Sequence, residues 1–327
     1  MRDSTQTRYQ AALGRLNSEL EEQDVSWEAL DNEERDYFLA EWLVDGYECG
    51  SSRGDYGTVL SALGRINPRL QLKISWKVFD TWSQLQPVQQ APSAPPEFIT
   101  ALIVACFAIN RPELAMIFTL AYSGLLRISE VLGLTWADVI LTSSAVILCL
   151  GQTKRGLEQK VVITNMTVVT WVGHYHRLVK LSSTPAREAK LFLMSYNSVL
   201  RWTKRLAVLL GFGWLPMTTH SFRRSGASQM VALGTSFVDV LLFGRWLSER
   251  AAREYVRKGE VGMVRARAQA SPELTSSLAK WNSLTASVWE FHAVLFSVKG
   301  AGDVNLSRIT DVGFVALQTL IFKVFGL

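Results

Sequence analysis

Residues that hold metals or form disulfide frameworks are scarce in this chain. It has three cysteines, Cys49, Cys106 and Cys149, and four histidines. The cysteines are scattered, odd in number and without C-x-x-C spacing, which argues against a disulfide framework and a zinc site. His174 and His176 have no cysteine or acidic residue at ligand spacing. We therefore expect a reducing compartment and no bound metal.

Long apolar runs are also missing. The start, MRDSTQTRYQ, is polar and does not look like a signal peptide. The apolar stretches 99–109 and 314–325 are shorter than the ~20 residues that span a bilayer. We therefore expect a soluble protein with no membrane partner. The 48% apolar content and 11 Trp exclude a disordered chain, and 327 residues allow about two domains.

The net charge of +5 is unevenly distributed along the chain. Residues 1–88 have 9 Lys/Arg and 15 Asp/Glu, a net of −6, whereas residues 97–260 have 19 and 10, a net of +9. A basic segment of this kind suits a polyanion such as nucleic acid. A solvated basic surface explains the count equally well, so charge alone does not identify the partner.

A proline-rich segment divides the chain. Residues 86–97, QPVQQAPSAPPE, contain four prolines, which excludes helix and favours extended chain. We predict a helical domain over 1–85, a linker over 86–97, a larger domain over 98–260 and a partly helical tail over 261–327. The tail could dock on its own subunit or on a neighbouring subunit. In the first domain, apolar spacing predicts helices near 5–22, 27–46, 55–66 and 73–85.

The larger domain is predicted to be mainly α-helical with one β-hairpin. The β-like runs AVILCL (145–150) and QKVVIT (159–164) flank a polar turn. The expected fold class is therefore mainly α with a small β-hairpin or sheet. Helices are predicted over about 165–180, 195–210, 221–233, 236–243 and 249–258.

Four short boxes contain the residue types of one chemistry. They are LRISE at 126–130, TK at 153–154, HSFR at 220–223, and GRW at 244–246 followed by Tyr255. Together they supply a phenolic nucleophile, two arginines, a general base and a proton donor. These are the parts needed to break a phosphodiester without a metal. Each box alone is weak evidence, but the order and spacing of the four boxes favour metal-independent cleavage of a phosphodiester.

The boxes resemble those of the tyrosine recombinase family, the phage integrase-like proteins. AYSGLLRISEVLGLTWADV is similar to the family's arginine box, HSFRRSGASQMVALG to its His-x-x-Arg box and GRWLSERAAREY to its nucleophile box. The similarity covers about 97–258. Tryptophan stands at the position of the third box where many members have histidine. The loxP-type recombinases also have tryptophan at this position. The segment HSFRRSGAS resembles the corresponding segment of eukaryotic transposon-type members.

The resemblance implies a role for each residue of the boxes. Tyr255 is the expected nucleophile, and Arg127 and Arg223 are the expected clamps on the scissile phosphate. His220 would contact the phosphate and help to manage the tyrosine proton. The indole N–H of Trp246 could donate one hydrogen bond to a phosphate oxygen, although a packing role is equally compatible.

Two further residues complete the expected site. Lys154, at the hairpin turn, would protonate the departing 5′-oxygen, with Arg155 and Lys160 as nearby competitors for that role. Glu130 lies three residues after Arg127 and is expected to orient its guanidinium fork.

The helix predicted over 195–210 is expected to approach DNA, because the corresponding helix of the family does so. Its candidate contacts are Arg201, Lys204 and Arg205, and a basic surface helix is an equally good explanation. Arg224 follows the second clamp directly. It is expected at the surface, either as a contact to the DNA backbone or as an ordinary surface residue.

The function implied by the resemblance is site-specific recombination of double-stranded DNA by a homo-tetramer on synapsed duplexes. The resemblance also implies that the protein derives from a mobile element. The covalent intermediate retains the bond energy, so neither ATP nor metal is required. Two alternatives stay open: a DNA-binding protein of recombinase descent that no longer cuts, and a type IB topoisomerase-like strand relaxer. We expect an intracellular location with DNA, which is nuclear if the chain is eukaryotic.

Overall fold

The computed structural model describes residues 3–86, 90–109, 111–151, 159–182, 186–253, 255–256 and 258–297. Over these residues it is mostly helical with one small antiparallel sheet, which confirms the predicted fold class. The chain forms two compact units, Met1–Gln90 and Ala91–Leu327. Within the described residues, no helix combines the length and the apolar character that crossing a membrane requires.

In its described residues, the first unit contains four helices around one apolar core. The core includes the fully buried side chains of Leu39, Leu43 and Trp82. Helix α1 packs against α3, and α2 packs against α4. The bounds are α1 Asp3–Glu22, α2 Asn32–Glu48, α3 Arg53–Ile66 and α4 Lys73–Leu85.

Helix α2 begins five residues later than predicted, because Asp31 caps it. The Asp31 carboxylate accepts hydrogen bonds from the backbone N–H groups of Glu33 and Glu34 at 2.8 and 2.9 Å. The Glu34 carboxylate in turn accepts from the Asp31 N–H at 2.7 Å, which completes a capping box. The apolar spacing that begins at Trp27 therefore precedes the helix rather than belonging to it.

The second unit begins with three helices and a three-stranded sheet. Strands β1 and β2 pair antiparallel, as do β2 and β3, which form the predicted hairpin. Strand β1 was not predicted, because it has only three residues and follows a short 3₁₀ turn at Trp136–Asp138. The bounds are α5 Pro96–Ala108, α6 Pro112–Ser123, α7 Ile128–Val131, β1 Val139–Leu141, β2 Val146–Leu150 and β3 Gln159–Ile163.

Seven more helices follow in the part of the second unit that the structure describes, and α10 packs against several of its helices. Its Phe222 ring stacks on Phe118 of α6 with ring centroids 4.3 Å apart, and both side chains are fully buried. The bounds are α8 Met166–Ser182, α9 Tyr196–Leu209, α10 Thr219–Ala232, α11 Phe237–Phe243, α12 Glu249–Arg253, α13 Lys258–Gln269 and α14 Pro272–Ser297.

The helix predicted over 249–258 is interrupted. Helix α12 ends at Arg253 and α13 begins at Lys258, so Tyr255 lies in the turn between two helices. Sequence periodicity missed this break because the segment contains neither glycine nor proline before Gly259.

The described part of the tail packs on its own unit. Helix α14 lies along α5, and its Leu274 and Leu278 side chains are buried in the core. Arg265 of α13 makes a two-pronged ion pair with Glu97 of α5, at 2.7 and 3.0 Å. Burial raises the pKa of the Glu97 carboxyl, but the hydrogen bond from Arg265 and its charge outweigh this effect, and the net shift is downward. Residues 298–327, with the apolar stretch 314–325, lie outside the described residues.

Candidate active site

Glu130 gathers three arginines from two distant parts of the chain. Its Oε1 atom accepts from Arg127 Nη1 at 2.6 Å, and its Oε2 atom accepts from Arg245 Nη2 at 2.7 Å. Arg223 Nη1 lies 3.7 Å from the same Oε2 atom. Glu130 Oε2 also accepts the backbone N–H of Arg127 at 2.9 Å, which ties the carboxylate to the start of α7. One negative charge therefore faces three positive charges, and the cluster has a surplus that favours an anion.

Burial and charge act in opposite directions on Glu130. Burial raises the pKa of its carboxyl. The hydrogen bond from the Arg127 N–H and the charges of Arg245, Arg127 and Arg223 lower this pKa by more than burial raises it, so the net shift is downward. The pKa of Arg223 is lowered to about 9, first by burial and then by the charge of Arg127. At neutral pH both groups are charged, so the cluster remains ionic.

Arg223 is enclosed by the turn that follows α11. Its Nη2 donates to the Gly244 carbonyl oxygen at 2.5 Å, and its Cζ lies 4.6 Å from the centroid of the Trp246 ring. Arg245 between them has a φ of 59°, an uncommon left-handed conformation for a residue with a side chain. Among the described residues, Arg223 Nε and Nη1 and Trp246 Nε1 are buried without a hydrogen-bond partner.

Arg245 is the residue of this cluster to which sequence reasoning assigned no role. Its partner Glu130 lies 115 positions away, and neither spacing nor periodicity links two residues at that separation. The available signal was its place in the GRW box, directly before the candidate Trp246.

Tyr255 lies against the same cluster. Its ring centroid is 5.0 Å from that of Trp246, 5.6 Å from Arg223 Cζ and 5.0 Å from Arg224 Cζ. The structure therefore brings Arg127, Glu130, Arg223, Trp246 and Tyr255 into one continuous series of contacts.

His220 lies in the first turn of α10, one turn before Arg223. Desolvation by neighbouring groups lowers its pKa, and the charges of Arg223, Arg127 and Arg224 lower it further. Its imidazole is therefore neutral at pH 7 and able to accept a proton. Thr218 caps the helix at this point by accepting the His220 N–H at 3.2 Å.

Two other tyrosines of the second unit have raised pKa values. Burial, together with the Glu97 charge, raises the pKa of Tyr122 to about 12. Burial and the Glu113 charge also raise the pKa of Tyr175. Deprotonation of either phenol near neutral pH is therefore unfavourable.

The candidate DNA contacts fall into two groups. Arg201, Lys204 and Arg205 are exposed along α9, and Arg205 Cζ lies 5.8 Å from the Trp202 ring centroid. Arg224 is not at the surface as expected: it is only 6% exposed, and its Cζ atom lies 5.0 Å from the Tyr255 ring centroid. Lys154 and its competitor Arg155 lie outside the described residues, and Lys160 is in β3.

In the described parts of the chain, no three His, Cys, Asp or Glu side chains are close enough to share a metal ion.

Residues 98–260 match the sequence profile of the phage integrase family. They are a phage integrase domain, the domain of tyrosine recombinases. The match contains every residue of the Glu130 cluster, together with Trp246 and Tyr255. No curated protein sequence shows significant similarity to the chain.

Solved structures with the same fold are distant in sequence. XerH site-specific recombinase, bound to a palindromic difH substrate in a post-cleavage complex, has a TM-score of 0.57 at 15% identity, covering 76% of this chain and 75% of that one. The Tn1549 transposon integrase, in complex with transposon right end DNA, has a TM-score of 0.55 at 16% identity, covering 83% and 95%. A lambda integrase dimer bound to a COC′ core site has a TM-score of 0.55 at 16% identity, covering 79% and 89%. These similarities establish the fold of the phage integrase domain.

Gly226 is needed for the close approach of α10 to α6. A Cβ atom at this position would lie 2.2 Å from the Tyr122 backbone oxygen and 2.6 Å from Leu125 Cδ2. We expect Gly226→Ala to reduce the free energy of unfolding by about 2–3 kcal/mol, because a backbone oxygen cannot move aside as a side chain can. Thermal or urea unfolding measures this loss.

Gly173→Ala is the matched control for that substitution. Gly173 is also inside a helix of the phage integrase domain, but no atom lies within 4 Å of its added Cβ. We expect its stability to be unchanged or slightly increased, because alanine is the better helix former. Equal stability of the two variants would contradict the close approach of α10 and α6.

Proposed function

We propose that the chain is a site-specific DNA recombinase that cuts and rejoins strands through a 3′-phosphotyrosyl link on Tyr255. The observation that carries the proposal is the gathering of Arg127 and Arg223 at Glu130, with the Tyr255 ring beside Arg223. The names of the XerH, Tn1549 and lambda structures describe recombinase or integrase complexes with DNA, which supports the same partner here.

The chemistry follows from the residue types. The Tyr255 oxygen attacks the phosphorus, the bond from phosphorus to the 5′-oxygen breaks, and a 3′-phosphotyrosyl link forms. The phenolic proton passes to the neutral His220, and Lys154 gives a proton to the departing 5′-oxygen. A 5′-hydroxyl from the partner strand then attacks the link and gives its proton to Lys154, while His220 returns a proton to the departing Tyr255 oxygen. The number of phosphodiester-type bonds is unchanged, so the exchange requires no ATP.

Arg127 and Arg223 have different access to a phosphate. The Arg127 side chain is 27% exposed, and it can approach an incoming phosphate directly. Arg223 is fully buried, but its Nε and Nη1 atoms are without hydrogen-bond partners among the described residues and fit an anionic oxygen. A phosphate reaches Arg223 only when the turn at Gly244–Trp246 shifts, so we infer that DNA binding moves this turn.

DNA is held by exposed cations of both units in this proposal. Arg201, Lys204 and Arg205 on α9 would contact the duplex in the second unit. In the first unit, the exposed residues Arg65, Arg69, Lys73 and Lys77 lie in one locally basic segment of an otherwise acidic sequence and would supply further contacts. Recombination of two duplexes needs four nucleophiles, which is the reason to propose a homo-tetramer on synapsed DNA. A mobile-element origin, and a nuclear site in a eukaryotic host, belong to the same proposal.

The proposal is tested by trapping the covalent intermediate. The protein is incubated with nicked duplexes whose central region is randomised, so that the cleaved strand loses a short fragment and cannot be rejoined. Adducts that resist SDS are digested, and the DNA-linked peptide is identified by mass spectrometry. We expect the peptide to contain Tyr255, and recovered DNA to share a sequence.

Other outcomes select the alternatives. Salt-dependent binding of the same duplexes with no adduct indicates a DNA-binding protein that no longer cuts. Relaxation of supercoiled plasmid without any shared sequence indicates a topoisomerase-like strand relaxer. An adduct on a tyrosine other than Tyr255 contradicts the assignment of the nucleophile.

A further inference from the structure

The ring of Tyr255 is not positioned by a helix of its own. The residue lies in the turn between α12 and α13, and its backbone N–H donates to the Ala252 carbonyl oxygen at 2.9 Å. A turn of this length does not determine the direction of a long side chain. Tertiary contacts therefore hold the ring in place.

One face of α10 supplies two of these contacts. Arg224 Cζ lies 5.0 Å from the Tyr255 ring centroid. Ser228, one helical turn further on, donates from Oγ to the Tyr255 carbonyl oxygen at 3.4 Å. Residues four apart on a helix share a face. The same face of α10 therefore contacts both the ring and the backbone of the tyrosine.

The burial of Arg224 distinguishes it from an ordinary DNA contact. It is 6% exposed, whereas Arg201, Lys204 and Arg205 on α9 are all exposed. A guanidinium that is removed from water interacts more strongly with an aromatic ring than an exposed one does. To reach a DNA phosphate, Arg224 would first have to leave the ring.

We propose that Arg224 is a positioning residue for Tyr255, and that it acts through the ring rather than by contacting DNA. It holds the phenolic oxygen where it can attack the phosphate, and Ser228 holds the backbone from the same helix. The inference rests on the proposed function, since positioning has a consequence only where Tyr255 is the nucleophile. Arg223 also contacts the ring, but its proposed phosphate contact makes it unsuitable as a dedicated support.

Arg224→Met separates positioning from DNA contact, because it keeps an apolar stem of similar length and removes the guanidinium. We expect the rate of adduct formation at saturating DNA to fall about 10–100-fold, since a misplaced nucleophile reacts slowly. The dissociation constant should change less than about 3-fold, and the slope of log affinity against log salt should be unchanged. Arg187→Met, which makes the same replacement at an exposed arginine of the second unit, is the control and should alter none of these quantities.

A second measurement needs no reaction. Tyr255 is replaced by 3-fluorotyrosine in the full-length protein, and its ¹⁹F resonance is recorded without DNA. We expect Arg224→Met to shift or broaden the resonance and Arg187→Met to leave it unchanged. Should Arg224→Met fail to fold, Arg224→Lys retains the charge, loses the planar stack and should show a smaller change in the same direction.

The opposite pattern would overturn the inference. A phosphate contact would lower affinity and reduce the salt slope by about 1, with the saturated rate unchanged. An unmoved fluorine resonance would show that Arg224 does not support the ring. If the unaltered protein forms no adduct, the proposed function fails, while the resonance still decides whether Arg224 holds Tyr255.

Discussion

Tyr255→Phe is expected to abolish the covalent adduct while leaving DNA affinity unchanged. The substitution removes one oxygen atom and keeps the ring. The ring contacts with Trp246, Arg223 and Arg224 can therefore remain. Without the phenolic oxygen, residue 255 cannot form a bond to phosphorus. The measurement compares SDS-resistant adducts with gel-shift affinity on the selected duplex at one salt concentration.

Tyr37→Phe is the control for the loss of a phenolic hydroxyl elsewhere. Tyr37 is 52% exposed on α2 of the first unit, and it lies outside the proposed site. We expect this variant to form the adduct at the rate of the unaltered protein. An adduct that survives Tyr255→Phe would show that another residue is the nucleophile. A parallel loss of affinity would show that the hydroxyl serves binding as well.

Glu130→Ala is expected to have the largest effect on stability, about 3–5 kcal/mol of unfolding free energy. The carboxylate is the shared partner of Arg127, Arg223 and Arg245, and its side chain is only 10% exposed. Its removal leaves three like charges together, one of them fully buried. We expect the adduct rate to fall as well, because repulsion displaces the two proposed phosphate clamps. Urea unfolding and the trapping assay measure the two effects.

Glu249→Ala provides the matched control for a lost Glu–Arg pair. Glu249 accepts from Arg253 at 2.5 Å, but the two side chains are 58% and 72% exposed. An exposed pair of this kind contributes about 0–1 kcal/mol, because water screens the charges. Equal losses for the two variants would contradict a structural role of the Glu130 carboxylate.

The effect of Glu130 should also depend on pH. Its carboxyl has a pKa below the ordinary value of 4.5, so the folded state favours the charged form. The stabilisation is fully present above the pKa of the unfolded chain and is lost as the pH falls through the lower, folded value. The stability difference between the unaltered protein and Glu130→Ala should therefore shrink below pH 4.5.

Several features could be predicted because each depends on neighbouring residues. The hairpin of β2 and β3 follows from two β-like runs around a polar turn, and most helices follow from apolar spacing. The pairing of Arg127 with Glu130 follows from a separation of three residues. Where local signals were weak, prediction failed, as for the short strand β1 and the break in the helix before Lys258.

By itself the sequence determined the helical class, the hairpin and the order of the arginine, histidine, tryptophan and tyrosine boxes, since these are local patterns of residue type and spacing. Only the tertiary structure decided that Arg245 shares Glu130 with Arg127, and that Arg224 is buried beside the Tyr255 ring. The physical reason is that these contacts join residues far apart in the chain. They form only when α10, α7 and the turn after α11 pack together, and no local pattern specifies that packing.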